Sequence, residues 1–348
     1  MRTLQVIGAA ALMALVAGCG SSGKKSSLPG GSTAGAALAQ RYQDCWGFFS
    51  AHDWKAFETC YAPGVVSDFV DSGLPSATGW DSIFAQHTRP LVDAMSDVRG
   101  TVELTLINGD SGVTVALLLG THDGALATPA GAIPATQKKI GQQVAHAVHF
   151  ARGGKAVDRE WFYQDMGGML AQLGVIQVPA RPAALEPWSP ETVIARGDAR
   201  EKRNLGVIDA VTAAFNRHDA AAMDALMADD LVWSELGVPV DWNRAAAMAS
   251  HAGLFKGFSD LKITPTTTWA AGDYVVMQGL FAGKNDGAVP DMGIAAPTGR
   301  QIALNFLQLY KLDASGKITR SWGFWNGAAF AAQLMGPPPG PAPKPPVG

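Results

Sequence analysis

The sequence predicts an α+β protein in which one domain is built twice. Three observations lead there. Short segments recur in the same order at a nearly constant offset. Within each repeat, helical periodicity comes first and strand alternation afterwards. The stretch between the repeats is rich in proline. Order-preserving self-similarity marks duplication, and helices segregated from strands favour α+β over an alternating parallel fold.

The recurring segments run from end to end. FSAHD (49–53) matches FNRHD (215–219), MSDV (95–98) matches FSDL (258–261), and GTHDG (120–124) matches GKNDG (283–287). PATQKKI then faces APTGRQI, with Thr136 opposite Thr298. Gly154-Lys155 faces Gly316-Lys317, Trp161 faces Trp322, and AQLG faces AQLMG. The copies occupy residues 36–176 and 199–336. The linker at 177–198 carries four prolines and no sustained period.

Outside the copies, the chain opens MRTLQVIGAAALMALVAGCG, with an apolar run from Val6 to Ala17 that is the plan of an export signal and too short for a membrane span. Val16-Ala17-Gly18-Cys19 resembles a lipobox. That resemblance implies that residues 1–18 are a lipoprotein signal peptide, that Cys19 is lipidated, and that the protein is anchored at the bacterial cell envelope. Gly20 in place of aspartate points to the outer membrane. Residues 19–35 read as a Gly/Ser-rich tether and 337–348 as a proline-rich disordered tail.

Each copy follows one plan. Amphipathic helices are expected at 36–51 and 199–217, ending at His-Asp, with shorter ones at 54–61 and 220–227 and a third pair at 80–95 and 242–255, after a loop. Strands follow: TVELTLI, VTVALLLG, IGQQVAHAVHFA and AVDREWFYQ in copy one, and LKITPTTTW, YVVMQGLFAG, IALNFLQLYKL and ITRSWGFW in copy two. The G-T-H-x-G element, the threonine loop and REWFYQD…LAQLG together resemble the SnoaL-like polyketide cyclase or ester cyclase family of the nuclear transport factor 2-like superfamily. The resemblance implies two cones, each a curved, mostly antiparallel sheet wrapped over its N-terminal helices around an apolar pocket.

Strand alternation puts Trp161, Tyr163 and Asp165 on one face and Glu160, Phe162 and Gln164 on the other. The first set is expected to line the cone. The resemblance makes Asp165 a catalytic acid/base that takes a proton beside a carbonyl, with His122 as its pocket partner. The alternatives are a helix N-cap for Asp165, which precedes MGGMLAQLG, and a turn residue for His122. Copy two has Asn326 and Asn285 at these positions, and asparagine cannot exchange a proton near neutral pH. Catalysis is therefore expected in copy one only. Trp161, Tyr163 and His146 in copy one, and Trp322, Phe324, Asn326 and Asn285 in copy two, are the ligand-binding candidates.

The net charge of −3 and the lack of a basic run beyond Lys24-Lys25 exclude a nucleic-acid partner. No zinc, P-loop or serine-esterase motif occurs, and His146 and His149 point to opposite faces of their strand, so no metal and no cofactor are expected. Cys45 and Cys60 flank the His52-Asp53 turn at equal distance, as a disulfide or as buried thiols. The functional expectation is an exported lipoprotein that binds a small hydrophobic carbonyl compound, with cofactor-free cyclase-type chemistry in copy one. The rival is a non-catalytic binding or scaffold protein whose copies pack as a pseudo-dimer. If Cys19 is lipidated, a fatty-acid probe marks the protein in growing cells and Cys19→Ser abolishes the mark; equal labelling of the serine variant refutes the anchor.

Overall fold

The computed structural model describes residues 33–336 apart from 129 and 130, so Cys19, the signal, most of the tether and the tail lie outside the described residues. Copy one begins with α1 (Thr33–Ser50) and α2 (Trp54–Glu58), followed by β1 (Tyr61–Phe69) and β2 (Ala77–Thr78). A third helical segment is α3 (Trp80–Ile83), a π turn (Phe84–Thr88) and α4 (Arg89–Ala94). Then come β3 (Arg99–Asn108), β4 (Ser111–Thr121), β5 (Leu126–Thr128), β6 (Gly131–Ile133), β7 (Lys139–Phe150), β8 (Val157–Tyr163) and α5 (Met166–Gln172). After β9 (Glu191–Ile194), copy two runs through α6 (Ala199–Asn216), α7 (Ala220–Asp224), β10 (Met227–Glu235), α8 (Arg244–Gly257), β11 (Lys262–Ala271), β12 (Tyr274–Lys284), β13 (Gln301–Leu312), β14 (Ile318–Phe324) and α9 (Gly327–Met335).

Copy one forms a sheet in the order β2-β1-β8-β7-β4-β3-β9, and copy two a sheet in the order β10-β14-β13-β12-β11. Pairing is antiparallel except for β1 with β8, β10 with β14, and β3 with β9. The fold is thus α+β, with two helix-backed sheets. Strands β1 and β10 stand where the sequence suggested loops. Pro63, Gly64 and the acids Asp229 and Asp230 hide them from a strand pattern, and each pairing slips register at that point. The proline-rich linker is not wholly irregular either, since β9 adds an edge strand to the first sheet.

The recurrent His-Asp pair is architecture. His52 and His218 have left-handed backbones (φ 54 and 56), and their rings meet the Val98 and Leu261 carbonyls at 2.8 and 2.9 Å. Asp53 and Asp219 then cap the next helix through Ala56 N and Ala222 N. Cys45, on α1, and Cys60 are joined as a disulfide. Gly100 is fixed by packing, because a Cβ there would lie 2.4 Å from the Trp46 ring.

Among the described residues, buried apolar side chains gather in four clusters. One lies between the helices and sheet of copy one, with Tyr42, Trp46, Phe49, Leu118 and Val144 at its centre. Two fill copy two. The fourth draws on both sheets and joins Leu106, Val115 and Tyr163 to Tyr274, Leu309 and Phe324. Burying a side chain of this size contributes about 1.5–3 kcal/mol, so both faces of each sheet carry apolar residues. This accounts for the nearly continuous burial along β4.

Candidate functional site

Under the helices of copy one lies an apolar cavity of about 70 Å³. Its walls include Trp46, Phe57, Tyr61, Phe69 and Phe162, and its polar lining includes Glu160, His146 and His87. Phe69 and Phe162 stack with centroids 4.6 Å apart. Two hydrogen bonds hold the wall in place: Trp46 Nε1 donates to Thr114 Oγ1 at 2.9 Å, and the Tyr42 hydroxyl donates to the His146 carbonyl at 2.6 Å.

Glu160 is the central group. It projects from β8 with a side chain only 6 % exposed, and its Oε2 lies 2.8 Å from His146 Nε2 on β7. Burial alone would raise its pKa. The His146 imidazole and the Ser67 and Tyr61 hydroxyls outweigh burial and hold the carboxyl below the usual glutamate range. The carboxylate accepts from His146 Nε2, and the other ring nitrogen, Nδ1, is buried without a partner. An imidazole oriented by a carboxylate, with its other nitrogen free, can accept a proton. Burial also raises Tyr42 and Tyr61 well above the ordinary tyrosine value, so both remain hydroxyls.

The sequence-predicted residues sit elsewhere. Alternation along β8 holds, but the faces are exchanged: Glu160 and Phe162 line the cavity, whereas Trp161 and Tyr163 face the cluster shared by the two sheets. The Tyr163 hydroxyl accepts from Gln278 Nε2 of copy two at 2.9 Å, and the Arg159 guanidinium lies 5.1 Å from the Trp161 ring centroid. Trp322 and Phe324 belong to the same cluster, with Arg320 over the Trp322 ring. Of the copy-one candidates, His146 alone lines the cavity.

Asp165 is 2 % exposed and caps α5. Its Oδ2 accepts from Gly168 N at 2.9 Å, and its Oδ1 accepts from Gly327 N, at the start of α9, at 3.1 Å. Burial raises its pKa against the pull of these backbone donors. Asn326 caps α9 through Ala328 N and donates to the Asp71 carbonyl at 3.0 Å. Asp71 itself accepts from the backbone and side chain of Asn305, and burial pushes its carboxyl up to about 6.

His122 Nδ1 accepts from Thr136 N at 3.2 Å, and Asn285 Oδ1 accepts from Thr298 N at 2.7 Å. The two residues therefore pin the same loop in the two copies. Neither His122 nor Asp165 lines the cavity, and no hydrogen bond joins them.

Copy two also buries a carboxylate, which sequence reasoning missed along with Glu160. Glu235 on β10 accepts from the Trp233 and Trp325 indoles at 2.5 and 2.7 Å, and burial still raises its pKa. Strand register puts Gln308 where copy one has His146, and Ser321 where it has Glu160. Among the described residues, no group of three or more His, Cys, Asp or Glu side chains is placed to hold a metal ion.

Residues 36–173 match the SnoaL-like polyketide cyclase family, and residues 208–321 match a SnoaL-like domain family. The chain is a tandem of two SnoaL-like domains. No curated protein is a match to it. Solved structures similar to part of it include a candidate SnoaL-like polyketide cyclase from Jannaschia sp. CCS1, with 20 % identity, 40 % of this chain and 97 % of that one covered, and a TM-score of 0.37. IdmH, a candidate polyketide cyclase from Streptomyces antibioticus, has 22 % identity, covers 38 % of this chain over 97 % of its own, and scores 0.32. An NTF2-like protein of unknown function from Burkholderia pseudomallei K96243 has 16 % identity, covers 38 % and 98 %, and scores 0.31.

Asp165→Ala is expected to lower stability at neutral pH by roughly 1–2 kcal/mol, from the lost cap and the bond to Gly327, and to leave ligand binding in the copy-one cavity unchanged. The raised carboxyl holds its proton in the folded state after the unfolded chain has released it. Wild-type stability therefore falls as pH rises from about 3.9, and the alanine variant lacks this component. Urea unfolding at several pH values, alongside binding, checks both. A variant of normal stability that no longer binds would return Asp165 to the site.

Proposed function

We propose that the copy-one SnoaL-like domain binds a small, largely apolar carbonyl compound in its cone and that His146, oriented by Glu160, takes a proton from the carbon beside the carbonyl. The buried His146–Glu160 pair opening on an apolar cavity supports this reading. Asp165 and His122, the residues expected from the family resemblance, act in this proposal as a helix cap and a loop pin. Copy two, with Gln308 at the histidine position, binds or braces without proton transfer. Its sheet packs on that of copy one as an intramolecular pseudo-dimer, a reading supported by the shared apolar cluster and the Gln278–Tyr163 bond.

The protein is proposed to be exported and lipid-anchored through Cys19 at the bacterial cell envelope, on the outer membrane. The Cys45–Cys60 disulfide fits an oxidising compartment.

One observation favours a second reading, binding without turnover. The Ser67 and Tyr61 hydroxyls and the His146 Nε2–H all serve Glu160, which draws donors away from the oxygen of a forming enolate. Acetophenone in deuterated buffer separates the two. The acid/base proposal expects wild-type protein to accelerate exchange of its methyl hydrogens and His146→Gln to lose that acceleration by a factor of about 100 to 10,000. Bound acetophenone with no faster exchange would contradict proton transfer and leave a binding module.

A further inference from the structure

The His146 ring is bonded through Nε2 to Glu160 Oε2 at 2.8 Å, while its Nδ1 has no partner among the described residues. One bond does not fix the plane of an imidazole, and the rings packed against it must do so. Tyr42, Trp46 and Phe162 stand with centroids 5.5, 5.8 and 5.9 Å from that of His146. Tyr42 and Trp46 come from α1 and meet the imidazole edge-on, with their planes at 62° and 82° to it.

The Trp46 indole is held at both ends. Its Nε1 donates to Thr114 Oγ1 at 2.9 Å, and its six-membered edge fits over Gly100, where a Cβ would lie 2.4 Å from the ring. Thr114 is fully buried and lies directly opposite His146 in the β4–β7 pairing, so both side chains leave the same face of the sheet. It is not part of the cavity wall. Copy two replaces the whole arrangement. Gln308 stands at the histidine position, and Met277 lies opposite it where copy one has Thr114. The alignment of the repeats puts Ile208, Thr212 and Ile263 at the positions of Tyr42, Trp46 and Gly100. The half without the imidazole thus lacks the indole, the hydroxyl that anchors it and the glycine that admits it.

We propose that Trp46 and Thr114 are positioning residues for proton transfer by His146: Thr114 fixes the indole, and the indole, with Tyr42, fixes the plane of the imidazole between Glu160 and the ligand. This rests on the acid/base reading of the cone and adds the residues that aim its base. A proton acceptor must stay aligned with the C–H bond it attacks, and a misplacement of about 1 Å costs on the order of 100-fold in rate.

Thr114→Val in the mature protein tests this, because valine keeps the branched shape that suits a strand and removes the acceptor for the indole. Acetophenone affinity is expected to stay nearly unchanged, while exchange of its methyl hydrogens in deuterated buffer slows by roughly 10- to 100-fold. Thr114→Ser, which keeps the hydroxyl, should restore most of the rate. Should the valine variant fail to fold, Trp46→Phe removes the donor instead and gives the same comparison. The proton resonance of His146 Nε2–H is a readout that needs no turnover, expected sharp in wild type and broadened or lost in the valine variant. An unchanged exchange rate or an unchanged resonance in Thr114→Val would each overturn this role while leaving His146 as the base. Affinity and rate falling in the same proportion would make Thr114 a support of the wall alone and would overturn it too. A wild type that binds acetophenone without faster exchange would overturn the acid/base reading, and this role with it.

Discussion

Strand β8 is hydrogen-bonded on both edges, to β1 and β7, and packs side chains on both faces, and much of the molecule is arranged around that constraint. One face delivers Glu160 and Phe162 to the cone. The other delivers Trp161 and Tyr163 to the cluster shared with copy two. Its end runs directly into Asp165 and α5. Because the strand cannot shift by one residue without exchanging these sets, the cavity carboxylate and the inter-sheet packing are fixed by one register. A single Glu160 in that cavity must then be met by donors, and His146, Ser67 and Tyr61 are what the neighbouring strands supply.

The copies solve the same problem in two ways. Each buries a carboxylate among aromatic side chains between its helices and sheet, but Glu160 sits on β8 beside a histidine, and Glu235 sits on β10 beside two indoles. A Cβ on Gly323, opposite Glu235, would fall 1.9 Å from its Oε2. The glycine makes room for a carboxylate that copy one keeps on the other strand, where Phe69 and Phe162 stack instead. An indole N–H cannot leave with a proton at neutral pH, so copy two satisfies its charge and has no group there to exchange it. In the proposed function, the difference expected between the halves is carried by His146 and Gln308 more than by the motif positions Asp165 and Asn326.

Much of the architecture was legible in the sequence. The duplication, the helix-then-strand order and the His-Asp turns rest on local signals such as caps, periodicity and left-handed turn residues. The long strands after the third helical segment, β3, β4, β7 and β8 in copy one and β11 to β14 in copy two, were also legible, because their apolar runs are long. Strands β1 and β10 were not, because a proline, glycines and acids interrupt them where their pairing slips. The face of β8 that enters the cone was illegible for a different reason: both faces carry aromatic residues and a carboxyl or carboxamide group, since both are covered, and period-two alternation then has no polar side to mark solvent. His87 gave no signal at all, because its placement depends on a π turn within an ordinary helical pattern. Asp165 illustrates the converse, a motif residue whose cap role the local sequence MGGMLAQLG already announced and whose second bond, to Gly327, depends on how the copies meet.

The central claim is that Glu160 is the ionised carboxylate of the copy-one cavity, bonded to His146, while Asp165 is a buried structural cap. A carbon-13 titration of the side-chain carboxyls in the folded mature protein tests it most directly. Glu160 is expected to titrate below the ordinary glutamate value of about 4.3, and Asp165 above the ordinary aspartate value of about 3.9. Glu160 titrating above its ordinary value, with Asp165 at or below its own, would contradict the account.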